Sequence, residues 1–150
     1  MISSGEKAPD FTLPDHNGQL VSLSDFAGRR LLIAFYPLDF SPVCHDQLTA
    51  YKAISPQLEE ADVTLVGISV DSAFAHKAFR EHAGIENTLL ADFEPKGAVA
   101  KSYGAYLDDW GHANRSLVLV DGDGSVEWVH ESDTPVDIPP PGLILDAIGA

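Results

Sequence analysis

Residues 31–36 read Leu-Leu-Ile-Ala-Phe-Tyr, an unbroken apolar run, and residues 63–70 are nearly as apolar. Short runs of this kind, rich in branched side chains, predict strands covered on both faces. Between them the period changes. Leu48, Tyr51, Ile54 and Leu58 recur at helical spacing. Ser41 suits the N-cap of that helix and Pro42 its first position. Pro56 should kink or end it near Ser55. A second helix, capped by Asp71 or Ser72, runs to about His82 and stops at Gly84. Residues 89–91 predict a short strand, and residues 96–103 a helix closed by Gly104. Two further apolar runs, 116–120 and 126–130, predict a hairpin turning through Asp121-Gly122-Asp123-Gly124. A last helix is expected over 143–148, after the spacer Pro139-Pro140-Pro141.

Nearer the start, residues 11–13 and 21–23 flank Asp15-His16-Asn17-Gly18, a strong hairpin signal. Ser24 can cap a short turn over 24–27 that Gly28 ends. The whole order is hairpin, β, α, β, α, a short element, β-hairpin, α. Crossover units followed by an antiparallel hairpin and a helix predict an α/β, thioredoxin-like fold. Its central mixed β-sheet is flanked by helices and carries an N-terminal β-hairpin extension.

Length and charge narrow the possible roles. A chain of 150 residues fits one domain over 1–150 and can bury about 70% of its unfolded surface. The net charge is −14, with 23 acidic and nine basic residues. Phosphate recognition needs clustered cations, so nucleic acid is excluded as a partner. The acidic balance fits either an ordinary acidic soluble protein or a surface adapted to high salt. No apolar run approaches the roughly 20 residues that span a bilayer. The first residues show no signal-peptide core. The expectation is a cytoplasmic protein without membrane contact, where thiols stay reduced.

One thiol stands out because it is alone. Cys44 is the single cysteine. It cannot form an intramolecular disulfide, so it is either a small core residue or a reagent acting by itself. With Ser41 as N-cap, Cys44 occupies the third helical position, where free N–H groups and the helix dipole favour a thiolate. The dipole contributes roughly 0.3–1 kcal/mol, or ~2 in a sheltered site. A cation at ~4 Å, with an effective dielectric of about 20, contributes about 4 kcal/mol. Desolvation opposes both. The thiolate therefore needs an arginine or lysine brought in by the fold. Arg29 and Arg30 should lie at the far end of the central strand, and Arg80 is on a helix. Arg115 stands just before the strand 116–120, where its side chain can project toward a neighbouring loop. Local reasoning points to Arg115 without settling the choice.

Other side chains give weaker signals. His45 follows Cys44, but adjacent helix residues point about 100° apart, which argues against a Cys–His hydrolase pair. His16, His76, His82, His112 and His130 lack metal-ligand spacing. Ser132 stands where a calcium loop starting at Asp121 would need glutamate. Asn114-Arg115-Ser116 fits a glycosylation sequon. Phe40, Phe74 and Trp110 suit either a dimer interface or the core.

The segment Pro37-x-x-x-Ser41-x-x-Cys44 resembles the peroxiredoxin signature Pro-x-x-x-Thr/Ser-x-x-Cys. The flanking Phe35-Tyr36-Pro37-Leu38-Asp39-Phe40 is similar to the bacterioferritin comigratory and AhpE-like branches of that family. Further similarity lies at Ala8-Pro9-Asp10-Phe11, in residues 66–72, and in residues 115–121. The resemblance implies that Cys44 is a peroxidatic cysteine, oxidised to sulfenic acid by hydrogen peroxide or an organic hydroperoxide. It implies that Ser41 hydrogen-bonds the peroxide, Pro37 shields the thiolate, and Arg115 holds both thiolate and peroxide. Val43 and Gln47 belong to the substrate-binding side, with backbone N–H groups offered by Val43 and Cys44. Gln47 departs from the glutamate that many relatives use to orient the arginine, and Thr49 stands where some carry a resolving cysteine. The implied type is therefore a one-cysteine enzyme reduced by an external thiol: a low-molecular-weight thiol, thioredoxin or a glutaredoxin-like protein. No metal, haem or flavin cofactor is expected, and a homodimer is. The alternative of a different class is a redox sensor or interaction module. A thiol–disulfide oxidoreductase finds little support, because Cys44-His45-Asp46-Gln47 lacks the second cysteine.

Overall fold

The computed structural model describes all of residues 1–150. In chain order the elements are β1 (Thr12–Pro14), β2 (Leu20–Ser22), a 3-10 turn (Leu23–Phe26), β3 (Arg30–Phe35), α1 (Pro42–Lys52), α2 (Ser55–Glu60), β4 (Val63–Ser69), α3 (Ala73–Ala83), β5 (Thr88–Ala91), α4 (Ala98–Ser102), β6 (Tyr106–Leu107), β7 (His112–Ala113), β8 (Ser116–Val120), β9 (Val126–Glu131) and α5 (Pro141–Ile148). Five strands form one mixed sheet in the order β5-β4-β3-β8-β9. β3 and β5 run parallel to β4, while β8 runs antiparallel to β3 and to β9. The expected mixed sheet with its N-terminal hairpin is present.

The continuous apolar runs reflect burial on both faces. In β3, Ile33 and Phe35 join one core layer, with Val66, Ile68, Val118 and the helix-borne Val99. Leu32 and Ala34 join the other, with Leu65, Leu117, Leu119 and Ile144 of α5. A third, smaller cluster places Tyr36, Cys44, Leu48, Phe79 and Leu89 together. Gly67 in β4 makes that cluster possible. A methyl group there would meet Leu89 at 2.8 Å and the Tyr36 ring at 3.1 Å.

Several boundaries move for identifiable reasons. Pro56 stands in the first turn of the separate helix α2, so the long helical pattern splits near Ser55 as expected. Ser72 is the cap of α3, accepting from the Ala75 N–H at 3.2 Å. The 3-10 turn begins at Leu23, with Ser22 rather than Ser24 at its cap; the Ser22 N–H donates to Asp25 at 2.8 Å. Gly97, at φ +70°, delays α4 to Ala98. The third proline opens α5 at Pro141, not Leu143. The small β6–β7 hairpin is too short to show a period of two and leaves no signal in the sequence. The Asn114 sequon is buried and offers no glycan site in the folded chain. Phe40, Phe74 and Trp110 are 51%, 89% and 67% exposed, which removes the core account of them. No helix is long and apolar enough to cross a membrane.

Candidate active site

β3 ends at Phe35 and delivers the chain, through the turn 36–41, to the N-terminus of α1. Ligands of open α/β sheets bind beyond this carboxyl end of the parallel strands. Ser41 is extended (φ −65°, ψ 136°), and its Oγ accepts the Cys44 N–H at 3.1 Å. Cys44 thus sits at the third helical position, as the Ser41–Pro42 pair predicts. The Cys44 N–H is occupied by the cap, so of the two expected backbone donors only the Val43 N–H remains without an acceptor. The Ser41 hydroxyl proton is free to donate, because its oxygen serves as the acceptor here. Pro37 is buried, and Ser41 and Val43 are half-buried.

The cation arrives from the neighbouring strand of the sheet. β8 pairs antiparallel with β3, with Ser116 opposite Phe35. Arg115, one step before Ser116, is therefore carried over the end of β3. Its Nη2 lies 3.0 Å from the Cys44 Sγ, its Nη1 donates to Gln47 Oε1 at 2.7 Å, and its Nε donates to the Pro135 carbonyl. Arg29, Arg30 and Arg80 are engaged elsewhere, by Asp25, by Glu127 and Ile148, and by Glu86 and Asn87. Gln47, engaged at both its amide oxygen and nitrogen, stands behind Arg115.

Burial decides what this contact means. Cys44 is 0% exposed and Arg115 1%. A buried cation is stable only beside an anion. None of the ion pairs in the structure includes Arg115, and its oxygen partners are neutral carbonyls. The one partner able to carry a negative charge is the Cys44 sulfur. Cys44 is in contact with core residues, as an inert cysteine would be, yet it also faces an otherwise uncompensated guanidinium. A guanidinium so placed can compensate a negative charge on the sulfur.

Known proteins match this frame over its length. The AhpC/TSA family model matches residues 4–129. Alkyl hydroperoxide reductase E of Mycobacterium tuberculosis is 36% identical over 151 aligned positions, covering 100% of this chain and 98% of the relative. The chain belongs to the AhpC/TSA family. It is a peroxiredoxin, a thiol-dependent peroxidase. Chloroplastic peroxiredoxin Q of Oryza sativa subsp. japonica is 36% identical over 132 positions, covering 87% of this chain and 60% of the relative. Among solved structures, the reduced 2-Cys peroxiredoxin of Plasmodium vivax superposes with a TM-score of 0.89 at 30% identity, over 100% of this chain and 82% of that one. The AhpC of Enterococcus faecalis gives 0.91 at 26%, over 99% and 92%.

In this peroxiredoxin a second polar cluster holds the turn before Ser41. The Tyr36 hydroxyl donates to Asp39 Oδ1 at 2.6 Å. His76 of α3 places Nδ1 2.7 Å from Asp39 Oδ2 and Nε2 3.0 Å from the Leu90 carbonyl. A carbonyl only accepts, so Nε2 carries a proton, and Nδ1 faces a carboxylate. Asp39 and His76 therefore share a short hydrogen bond sealed from water. Asp71 accepts from the Asp39 N–H at 2.8 Å and from the Ser69 hydroxyl. Burial pushes the Asp71 carboxyl above its usual range, opposed by the Ser69 bond. Asp39, Asp71 and His76 bring possible metal-ligating atoms within 4.8 Å of one another. Their hydrogen bonds to each other, Tyr36, Ser69 and Leu90 account for the cluster. Nothing in the sequence pattern marks this pair, because 37 residues separate its members.

The pair carries a testable consequence. His76→Ala leaves the buried Asp39 carboxyl without this hydrogen-bond partner, which costs about 1–3 kcal/mol. Asp39→Asn weakens the same bond from the other side. The double variant should therefore lose less stability than the sum of the two single changes, measured by denaturant unfolding.

Proposed function

We propose that this enzyme reduces hydrogen peroxide and organic hydroperoxides through Cys44, and that an external thiol completes each cycle. The observation that carries the reading is the 3.0 Å contact between the Cys44 sulfur and a buried arginine that lacks a carboxylate partner. The Cys44 thiolate attacks the terminal peroxide oxygen. The S–O bond forms as the O–O bond breaks, leaving sulfenic acid. The leaving oxygen departs as alkoxide or hydroxide and takes a proton to become alcohol or water. Arg115 Nη2, the free Ser41 hydroxyl and the open Val43 N–H supply donors for the charge that develops on it. Pro37 keeps water from the sulfur, and Gln47 serves the substrate indirectly by holding Arg115. An outside thiol then displaces water from the sulfenic acid to give a mixed disulfide. A second thiol releases Cys44.

Within these 150 residues there is no second cysteine, which supports external reduction by a small thiol, thioredoxin or a glutaredoxin-like protein. A lone reduced thiol suits the cytoplasm. The exposed Phe40, Phe74 and Trp110 support a homodimer. The whole of residues 1–150 works as one domain. The test is peroxide consumption with excess dithiothreitol or a thioredoxin system. Many peroxides reduced per chain is the expected result. One peroxide per cysteine, with no turnover under any thiol, would replace catalysis by the sensor reading.

A further inference from the structure

We infer that Tyr51 is a positioning residue for Arg115: its hydroxyl fixes which end of the Gln47 amide faces the guanidinium. The inference rests on the pairing of Arg115 with the Cys44 thiolate proposed above.

Cys44, Gln47 and Tyr51 lie on one face of α1, at spacings of three and four. All three are fully buried. Arg115 Nη1 meets Gln47 Oε1 at 2.7 Å, Gln47 Nε2 meets the Tyr51 oxygen at 3.1 Å, and the Tyr51 oxygen meets the Pro139 carbonyl at 2.7 Å. The direction of this chain is forced from both ends. Arginine can only donate, and a backbone carbonyl can only accept. Tyr51 therefore gives its single proton to Pro139 and turns a lone pair toward Gln47. A lone pair attracts the amide nitrogen, so the amide oxygen is left facing Arg115. Turned over, the amide would set N–H against N–H at Arg115. Burial raises the Tyr51 hydroxyl to about 12, so its proton stays in place through the neutral range.

The Pro139 carbonyl has no backbone donor, and the next two residues, Pro140 and Pro141, have no N–H to offer. Tyr51 is its partner. This also explains why glutamine fits position 47. A carboxylate there presents an acceptor to Arg115 whichever way it turns, but it calls on the Tyr51 proton that Pro139 already holds. Glutamine satisfies both neighbours and leaves the Arg115 charge to the sulfur. Tyr51 and Gln47 work as a matched pair.

The two orientations of the amide make the inference testable by rate. The measurement is the second-order reaction of reduced protein with hydrogen peroxide by rapid mixing. The variants are Tyr51→Phe, Gln47→Glu, the two combined, Gln47→Leu and Arg115→Ala. With Gln47 in place, Tyr51→Phe should slow the reaction about five- to tenfold, the worth of a hydrogen bond near 1 kcal/mol. In the Gln47→Glu background, where a carboxylate needs no orienting, the same Tyr51→Phe change should alter the rate less than about twofold. A purely structural tyrosine would cost the same factor in both backgrounds, and that result overturns the inference. Gln47→Leu breaks the link without touching the Tyr51 ring. It should slow the reaction at least as much as Tyr51→Phe, and an unchanged rate also overturns the relay, even if Tyr51→Phe does not fold. Arg115→Ala separates the two levels. A wild-type rate in Arg115→Ala removes the underlying pairing, whereas a slow Arg115→Ala beside a Tyr51→Phe variant of wild-type rate removes only the role of Tyr51.

Discussion

Cys44→Ser should lower the rate of peroxide consumption more than about 1,000-fold, to that of the assay without protein. The hydroxyl of serine keeps its proton at neutral pH and forms no counterpart of sulfenic acid. The change is small in volume, and the cluster of Tyr36, Leu48, Phe79 and Leu89 around it can close over the oxygen. Loss of activity with a folded protein, checked by circular dichroism, therefore reports chemistry. A variant that still consumes peroxide at a substantial fraction of the wild-type rate would show that the oxidised atom lies elsewhere.

The second large effect belongs to Arg115. Removing one hydrogen-bond donor from a developing oxyanion slows catalysis about 100- to 1,000-fold, and Arg115→Ala should lose at least that much. The same change removes the cation beside the sulfur. The thiolate absorbance of the reduced protein at neutral pH should drop with it. Arg115→Lys restores a charge but not the planar fork that reaches Cys44, Gln47 and Pro135 at once, so it should recover only part of the rate. Unchanged peroxide kinetics in Arg115→Ala would end the assignment of this arginine to the reaction. An unchanged absorbance would show that the helix terminus alone holds the thiolate.

These two residues differ in how they could be read from the sequence. Cys44 was legible locally, because a serine followed by proline marks where a helix starts and so where its third residue points. The Cys44–Arg115 contact spans 71 residues and crosses from one antiparallel strand to its neighbour. Spacing along the chain carries no such information, so local reasoning left the cation open and the family resemblance selected it. The same limit hid the Asp39–His76 pair. It also hid the role of Tyr51, whose periodicity marks it only as a core position. The strands β3, β4 and β8 were clear because burial on both faces leaves an unbroken apolar signature. The edges of α4 and α5 were not, since a left-handed glycine and a run of prolines set them.

The complete burial of Cys44 has a consequence for the order of events in a cycle. A hydroperoxide is small and needs only a narrow opening beside the half-buried Ser41–Val43 edge to reach the sulfur. A protein thiol needs more, because its own backbone must approach within bonding distance of an atom that has no surface. The two half-reactions therefore make unequal demands on the fold. Oxidation needs the turn to breathe, whereas reduction by a protein needs it to part. For a protein reductant, regeneration would then depend on the first turn of α1 opening, which ties that half-reaction to the stability of the turn.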